Sequence, residues 1–361
     1  MRFRKYSEPF IRGCFGDLIF LRKEKYDPQK DTATYPCIEL ENIEQETCLL
    51  NGYFDSKKQK SIKTKFQSGD VLFGKLRPYL RKYALVDFNG VCSTEIWALY
   101  SNKLLNSYLF YYIQTEQFLE VANTSSGTKM PRAEWNLISS KEFRYPQSRE
   151  EMGCVSHFLS KIDQRIETQS KIIEKLQSQM LAIYHQVFSQ LNSEVLPLVK
   201  LCSIQKGAQV NGIELLENGP YYFMNGGIVP SGFYNDWNTE TNTISISEGG
   251  NSCGYVQYNK ERFWSGGHCY TLQKLNKVSV RYLYHFLKSY EKDIMRLRIG
   301  TGLPNIQKKD LEQFLIKVPS LLEQERLVKL LDSFELKIGT EEKLFKKYKE
   351  QKKFLLSNMF I

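Results

Sequence analysis

With 361 residues, the chain is longer than a single hydrophobic core usually organises, and its length predicts roughly two or three domains. Hydrophobic residues make up 42% of it and charged residues 25%, a balance that excludes a disordered chain and predicts a globular protein. The formal net charge of +10 favours a polyanionic partner, although such an excess also keeps proteins soluble.

Apolar runs and cysteines restrict the class of protein further. Charges interrupt residues 1–26 every few positions, and no apolar run in the sequence is long enough to cross a bilayer. We therefore expect no signal peptide, no membrane partner and a cytoplasmic location. The 8 cysteines lie far apart without a Cys-x-x-Cys pair, which argues against a zinc ribbon or a disulfide framework and predicts reduced, mostly buried thiols.

The first segment, residues 1–147, is basic and predicts an α+β globule with a strand at 70–73 and an amphipathic helix at 106–121. The stretch 57–65 has five lysines in nine residues, which suits phosphate contacts, although a solvated loop is the alternative. The stretch 75–82 follows a strand and suits guanine edges or phosphates. The candidate DNA contacts here are Lys57, Lys58, Lys60, Lys63, Lys65, Lys75, Arg77, Tyr79, Arg81 and Lys129.

The second segment (148–191) and the fourth (321–361) each predict a long helix. Apolar residues recur along both at steps of four and three, a rhythm typical of a coiled-coil seam. We expect the helices to pair antiparallel about a pseudo-twofold axis as a rigid spacer, with the equivalent polar residues Gln169 and Glu341 close together. The predicted pairing residues are Leu159, Ile162, Ile166, Gln169 and Ile173, and Leu331, Phe334, Ile338, Glu341 and Phe345.

The third segment, residues 192–320, is basic again and predicts a second α+β globule, with a strand at 243–246 and an amphipathic helix at 280–298. The glycine-rich stretch 249–254 lacks the strand and helix of a dinucleotide turn and predicts a tight surface turn. Amides and hydroxyls in glycine-rich loops suit base reading better than bulk charge does. The candidates are Asn225, Ser231, Tyr234, Asn235, Asn251, Ser252, Arg262 and His268.

An internal repeat relates the two halves of the chain. The stretch 127–131 (GTKMP) recurs as 300–304 (GTGLP), at the offset that also relates Pro146 to Pro319. Chance similarity between two amphipathic helices explains matches within the helices but not this one. The sequence therefore predicts two copies of the same arrangement, each a globule followed by a long helix.

Catalytic patterns are weak. No two of the 11 prolines are adjacent, so an adenine methyltransferase loop of the Asn/Asp-Pro-Pro type is excluded. The four histidines (His157, His185, His268, His285) form no HExxH or clustered ligand set in the sequence. The acidic and basic triplets at 341–343 and 350–352 lie on a predicted helix, where we expect structural roles. We expect no metal site and no catalytic site.

Several short sequence motifs, spread over essentially the whole chain, resemble those of the specificity subunits of type I restriction-modification systems. In the fourth segment Pro319 with Glu323 and Gln324 matches the start of the family's conserved region, whereas Pro146 followed by Glu150 and Glu151 departs from it. The target-recognition phrases are 69–79 (GDVLFGKLRPY) and 92–95 (CSTE), then 225–228 (NGGI), 230–232 (PSG), 247–255 (SEGGNSCGY) and 263–270 (FWSGGHCY).

The resemblance implies a non-catalytic subunit in which two target-recognition domains each read half of a split double-stranded DNA sequence, while the helices set the gap. It implies two modification (methyltransferase) subunits and restriction (translocase/endonuclease) subunits as partners. S-adenosylmethionine, ATP and Mg would then belong to those partners. The alternatives are a recognition module of a single-chain restriction-methylation enzyme, a free-standing DNA-binding regulator, or a coiled-coil scaffold unrelated to DNA.

Overall fold

The computed structural model describes residues 2–124, 130–300, 302 and 304–360. These residues form two compact units. Unit 1 consists of Met1–Ser170 together with Leu344–Ile361, and unit 2 consists of Lys171–Lys343. Each unit is a mixed α/β domain with parts of two long helices, which is the predicted fold class.

Unit 1 begins with strands and short helices and ends in long-helix segments. Its strands are β1 (Ile11–Cys14), β2 (Ile19–Leu21), β3 (Lys25–Tyr26), β4 (Pro36–Ile38), β5 (Phe54–Asp55), β6 (Lys63–Phe66), β7 (Val71–Gly74), β8 (Tyr83–Leu85), β9 (Gly90–Cys92), β10 (Ile96–Ser101) and β11 (Glu142–Tyr145). Its helices are α1 (Phe15–Leu18), α2 (Asn106–Tyr112), α3 (Glu116–Asn123), α4 (Trp135–Ser139), the first part of α5 (Arg149–Gln190) and the last part of α9 (Leu321–Met359).

Three sheets organise unit 1. An antiparallel four-stranded sheet has the order β2-β10-β7-β8, a five-stranded sheet has the order β3-β6-β9-β4-β5, and β1 pairs with β11. The strand predicted at 70–73 is β7. The helix predicted at 106–121 is instead two helices, because the Thr115 side chain accepts a hydrogen bond from the backbone N–H of Phe118 and caps a new helix, α3.

Unit 2 follows the same general order as unit 1, with strands, then short helices, one more strand and a long helix, but it has fewer strands. Its helices are the second part of α5, then α6 (Val280–Ser289), α7 (Glu291–Arg296), α8 (Lys308–Glu312) and the first part of α9 (Leu321–Met359). Its strands are β12 (Glu194–Pro197), β13 (Ser203–Lys206), β14 (Tyr221–Met224), β15 (Gly232–Tyr234), β16 (Thr243–Ser247), β17 (Val256–Asn259), β18 (Phe263–Ser265), β19 (Cys269–Gln273) and β20 (Leu315–Val318).

The internal repeat of the sequence is also found in the sheet topology of unit 2. Its antiparallel four-stranded sheet has the order β13-β19-β16-β17, and β12 pairs with β20 as β1 pairs with β11. In both four-stranded sheets the order along the sheet is therefore first, last, second and third strand. The remaining sheet of unit 2 has only three strands, β15-β14-β18, where unit 1 has five.

Three sequence predictions for unit 2 have different outcomes. The helix predicted at 280–298 is broken at Tyr290, whose φ of −103° and ψ of 20° end α6 before α7 begins. The strand predicted at 243–246 is β16. The stretch 249–254 forms the predicted turn, closed by a hydrogen bond from the backbone N–H of Cys253 to the Gly250 carbonyl oxygen.

Each unit packs its two long-helix segments together. In unit 1, Leu159 and Ile162 of α5 join Leu355 and Met359 of α9 in one hydrophobic core. A salt bridge of 2.7 Å joins the Asp163 carboxylate to the Lys352 ammonium nearby. Ile166, also predicted to pair, packs against the same core.

In unit 2 the helix segments are antiparallel. Gln177 of α5 donates a hydrogen bond of 3.3 Å to Glu342 of α9, and further along α5 the Tyr184 hydroxyl lies in the electrostatic field of Glu335. Leu331, Phe334 and Ile338, predicted to pair the helices, contribute to the core of this unit. Gln169 and Glu341 belong to different units, so their proximity stays a prediction, as does seam pairing by Ile173 and Phe345.

The cysteines agree with the sequence analysis. All eight are free thiols, and five of them are buried. Burial raises the pKa of the Cys37 thiol to about 12, which keeps it protonated and unreactive at neutral pH. In the part of the chain that the structure describes, neither long helix nor any shorter one is apolar over enough of its length to span a bilayer.

Candidate nucleic-acid interface

One end of the four-stranded sheet in unit 1 is tied by three backbone hydrogen bonds. The N–H of Lys75, just after β7, donates to the Glu95 carbonyl oxygen at 2.9 Å, and the N–H of Ala133 donates to the Lys75 carbonyl oxygen at 2.8 Å. The N–H of Arg77 donates to the Pro131 carbonyl oxygen at 2.8 Å. The loops after β7, before β10 and before α4 are thereby held together.

Unit 2 has the same three bonds at the equivalent positions. The N–H of Glu248, just after β16, donates to the His268 carbonyl oxygen at 2.9 Å, and the N–H of Ile306 donates to the Glu248 carbonyl oxygen at 2.8 Å. The N–H of Gly250 donates to the Pro304 carbonyl oxygen at 3.0 Å. We call this set of positions the strand-end frame: Lys75, Arg77, Glu95 and Arg132 in unit 1, and Glu248, Gly250, His268 and Asn305 in unit 2.

Backbone conformation supports the equivalence of the two frames. Arg77 has a φ of 51° and Gly250 a φ of 75°, both in the left-handed region that side chains other than glycine rarely adopt. Isolated β-bridges join Leu76 to Arg132 and Gly249 to Asn305, again at matching positions. The strand-end frame is therefore a shared backbone that carries different side chains in the two units.

In unit 1 the frame carries an oriented arginine. Arg132 donates from Nε and Nη2 to the two carboxylate oxygens of Glu95, at 3.0 and 3.2 Å. Arg77 and Tyr79 are exposed beside it, and Lys75 is half-buried. Arg81 is engaged elsewhere, because its Nη2 bonds to both oxygens of Glu116 at 2.8 and 2.9 Å. Lys129, the remaining candidate of the first segment, lies outside the described residues.

The lysine-rich stretch divides into exposed and engaged residues. Lys57, Lys58 and Lys60 are exposed in the loop before β6, where the Lys57 ammonium donates a hydrogen bond to the Asp31 backbone carbonyl oxygen. Lys63 and Lys65 lie on β6. The buried Lys63 ammonium is paired with the Glu39 carboxylate, and Lys65 forms an ion pair of 2.7 Å with Glu24. Phosphate contacts by all five residues stay a prediction, but only the three loop lysines display their charge without a carboxylate partner among the described residues.

A cavity of about 530 Å³ opens on unit 1 beside β2. Its lining combines the cations Arg22, Lys23 and Lys65 with the aromatic rings of Phe20 and Tyr100. The Arg22 guanidinium lies 4.0 Å from the centre of the Tyr100 ring and is paired with Asp70. Glu24 also lines the cavity and pairs with Lys65, so two of the three cations have a carboxylate partner.

The predicted residues of unit 2 fall into two groups. Asn225 accepts a hydrogen bond of 3.0 Å from the backbone N–H of His268, and Asn251 and Ser252 lie in the adjoining turn at 249–254. The other group lies on or beside the three-stranded sheet. It comprises Ser231, Tyr234, whose ring packs on Trp264, the exposed Asn235, and Arg262, which pairs with Glu240 at 3.0 Å.

Sequence analysis missed the carboxylate at the centre of the first group. Glu248 Oε1 accepts hydrogen bonds from the Lys206 ammonium at 2.6 Å and from the Tyr270 hydroxyl at 2.9 Å, while Oε2 lies 3.6 Å from His268 Nδ1. Burial and the Glu248 carboxylate raise the pKa of Tyr270, so its hydroxyl remains a donor. The available signal was a charged residue directly before glycine at two strand ends, at Lys206 and at Glu248.

The histidines form no clustered ligand set in the sequence, but the fold brings His285 next to two carboxylates. Ligand atoms of His285, Asp332 and Glu335 lie within 4.8 Å of one another, because α6 packs on α9 in unit 2. The Arg281 guanidinium bonds to both carboxylates, which already supplies the positive charge that a metal ion would bring. This group therefore fits a structural clamp.

The hydrogen bonds of the clamp have defined donors and acceptors. Burial lowers the pKa of His285, so its ring is neutral. Nε2 lies 2.7 Å from the Asp332 carboxylate, and Nδ1 lies 2.9 Å from the Tyr184 hydroxyl. Because the carboxylate only accepts, Nε2 carries the proton and Nδ1 accepts from Tyr184. Within unit 2, the imidazole thus connects α6 to both long-helix segments.

Comparison with protein families gives one match to most of the chain. The family described as "Type I restriction modification DNA specificity domain" matches residues 13–178 and again residues 191–348. The two matched stretches correspond to the two halves of the internal repeat.

Individual curated relatives match shorter segments. The putative type I specificity subunit S.MpnORF638P of Mycoplasma pneumoniae is 37% identical over 144 residues, covering 39% of this chain and 38% of that protein. The putative type I specificity subunit S.MgeORF438P of Mycoplasma genitalium is 34% identical over 122 residues, covering 33% of this chain and 32% of that protein. The alignments therefore span well under half the length of these relatives.

Solved structures match the whole fold. The type I restriction-modification system S subunit from M. genitalium covers 100% of this chain and 99% of its own, with a TM-score of 0.67 at 19% identity. A chain from a structure of complex assembly and conformational transition in the type I R-M system covers 97% of both chains, with a TM-score of 0.63 at 17% identity. At such identities the likeness shows a shared fold.

Proposed function

Since the chain belongs to the type I restriction-modification DNA specificity family, we propose that it is the subunit that selects the DNA target and that it catalyses no reaction itself. The observation that carries this proposal is the double family match over most of the chain, one match for each half of the repeat. Two globules on one scaffold suit a target that is itself split into two parts.

Each unit reads one half of a bipartite duplex sequence in this proposal. The support is structural: both units present the same strand-end frame, but they carry different side chains on it and a different third sheet. A shared backbone with different polar groups is suited to reading different base edges in the same manner. The long helices α5 and α9 set the gap between the two half-sites.

Partners supply the chemistry. Two modification subunits, carrying S-adenosylmethionine, dock on the long helices, and restriction subunits, using ATP and Mg, join them in the cytosol. The basic charge of the chain adds affinity for the duplex, which is the common substrate of these partners. No catalytic role falls to the residues of this chain.

The test is methylome sequencing of cells that express the chain with its cognate modification subunit. We expect one methylated bipartite motif that is absent without this chain. Replacing residues 192–320 with the corresponding domain of a relative should change one half of the motif and leave the other half and the gap unchanged. Methylation at a continuous motif, or DNA binding that directs no methylation, would contradict the proposal and favour a free-standing regulator.

A further inference from the structure

The strand-end frame singles out a few positions at which the two units differ on the same backbone. Lys75 corresponds to Glu248, and Glu95 corresponds to His268, because each pair makes the same backbone hydrogen bonds. These bonds join backbone groups, so they place no demand on the side chains at these positions. Here a cation replaces an acid and an acid replaces an imidazole, so the frame fixes the position and leaves the chemistry free to vary.

In unit 2 a lysine beside these positions, Lys206, is held in a defined place by Glu248. The Lys206 and His268 side chains are 51% and 63% exposed, whereas the Glu248 side chain between them is only 11% exposed. The ammonium of Lys206 is fixed at 2.6 Å from Glu248 Oε1. A mobile surface lysine suits a phosphate contact, but a donor held by a buried carboxylate has the fixed direction that base reading requires.

The surrounding glycines leave room for a duplex to approach. Gly250 has a φ of 75°, and a Cβ added there would meet nothing within 4 Å, so the backbone faces open space. Gly226 has a φ of 85° and packs so closely that a Cβ would lie 2.9 Å from the His268 carbonyl oxygen. The backbone is therefore closely packed at Gly226 and open at Gly250, and this open side lets a DNA groove come into close contact with the turn.

We propose that the strand-end frame is the base-reading site of both units, and that in unit 2 Lys206, which Glu248 holds beside the frame, reads the acceptor edge of a guanine. The guanine N7 and O6 atoms both accept hydrogen bonds in the major groove, and the exposed Lys206 ammonium is a donor. Glu248 is a positioning residue. In unit 1 Arg132, held by Glu95 at 3.0 and 3.2 Å, is the corresponding oriented cation.

This inference rests on the proposed function, and the experiment separates the two. The full chain is assembled with its cognate modification subunit, and the wild-type motif is determined first. Methylation rates are then measured on duplexes in which each position of the two half-sites is varied in turn. Absence of a bipartite wild-type motif would overturn the proposed function. A bipartite motif that the variants below leave unchanged would overturn only the base-reading proposal.

Lys206→Met removes the exposed donor and keeps the length of the side chain. We expect discrimination at one G·C pair of one half-site to fall roughly 5- to 150-fold, with the other half-site unchanged. Glu248→Gln should relax the same base pair, because the amide no longer fixes the ammonium. Arg132→Met should relax a base pair in the opposite half-site.

The matched control is Lys260→Met. Lys260 is exposed and follows β17, whose Asn259 pairs with Thr243 at the far end of β16 from Glu248. The discrimination between base pairs by the Lys260→Met variant should equal that of the wild type. Equal weakening on every duplex by Lys206→Met, with a smaller salt dependence, would identify a phosphate contact and overturn the proposal, as would a wild-type half-site without a G·C pair. If Glu248→Gln fails to fold, the result for Lys206→Met tests the proposal, because Lys206 is exposed.

Discussion

Units 1 and 2 share their four-stranded sheet and strand-end frame but differ in how they display positive charge. Unit 1 presents the exposed loop lysines Lys57, Lys58 and Lys60 beside a five-stranded sheet. Unit 2 has three strands in that place and presents hydroxyls, amides and a carboxylate-held lysine. On the proposed function, we expect unit 1 to contribute more of the general affinity for a duplex and both units to contribute sequence discrimination through the frame.

The units also differ in how the recognition domain is fixed to its long helices. In unit 1 the Tyr111 hydroxyl donates to Asp163 at 2.9 Å, and Asp163 pairs with Lys352 at 2.7 Å. In unit 2 the equivalent place holds the clamp of His285, Arg281 and two carboxylates. A chain of three residues therefore does in unit 1 what a network of four residues does in unit 2.

The largest effect is expected from removing the loop lysines together. Replacing Lys57, Lys58 and Lys60 by Ala should weaken binding to all duplexes alike, roughly 10- to 100-fold, because up to three phosphate contacts are lost. The slope of log affinity against log salt should become shallower by roughly 0.9 for each contact. Fluorescence anisotropy of the assembled complex on cognate and unrelated duplexes measures both quantities.

The control for the lysine loop removes equal charge elsewhere in unit 1. Lys346, Lys347 and Lys349 are exposed on α9, and their replacement by Ala should leave the salt slope unchanged. A triple loop variant with the wild-type slope would show that the loop makes no phosphate contact. The contrast between a charge-rich unit 1 and a polar unit 2 would then lose its functional meaning.

The next effect concerns the clamp of unit 2. Arg281→Met should destabilise α6 against local opening by about 2 kcal/mol, because it leaves two carboxylates without their cation beside the buried His285. This is below the ~3–5 kcal/mol typical of a fully buried pair, since the Asp332 and Glu335 side chains are 40% and 42% exposed and partly screened by water. Hydrogen exchange of α6 peptides, read by mass spectrometry, measures the opening free energy.

Arg296→Met is the matched control for that measurement. Arg296 pairs with Asp293 three residues away and its side chain is 78% exposed, so we expect a loss of less than about 0.5 kcal/mol. Similar exchange rates in the two variants would mean that the clamp contributes no more than a surface ion pair. The two units would then differ in appearance but not in how firmly each holds its helices.

Local patterns in the sequence predicted the repeat, both long helices and the strands at β7 and β16, because periodicity and glycine punctuation are local signals. The helices predicted at 106–121 and 280–298 are each split in two, the first by the Thr115 cap and the second by the backbone conformation of Tyr290. In a sequence, a continuous apolar face is a stronger signal than either of these local features. The frame was not predictable, since Glu248 meets His268 only through the pairing of β16 with β19. Lys63 shows the same limit, because its partner Glu39 is distant in sequence.

The smallest effect expected is a pH dependence confined to unit 2. Burial lowers the folded-state pKa of His285 below its ordinary value of 6.5, so the unfolded state binds the proton more readily. The stability that neutral His285 contributes is therefore fully present above pH 6.5 and is lost as the pH falls through the lowered folded-state pKa. Acidification from pH 7 to pH 5 should accelerate hydrogen exchange in α6 beyond the intrinsic change, and His285→Gln should remove this dependence.

The pH experiment also distinguishes the clamp from the simpler ion pair of unit 1. His157 is exposed on the unit 1 part of α5, so His157→Gln should leave the pH dependence of α6 as it is in the wild type. Peptides of α2 in unit 1, where Tyr111 occupies the place of His285, should show no corresponding acceleration, because burial raises the pKa of that hydroxyl and it stays protonated throughout. Equal acid sensitivity in α2 and α6 would assign the effect to the whole chain and not to His285.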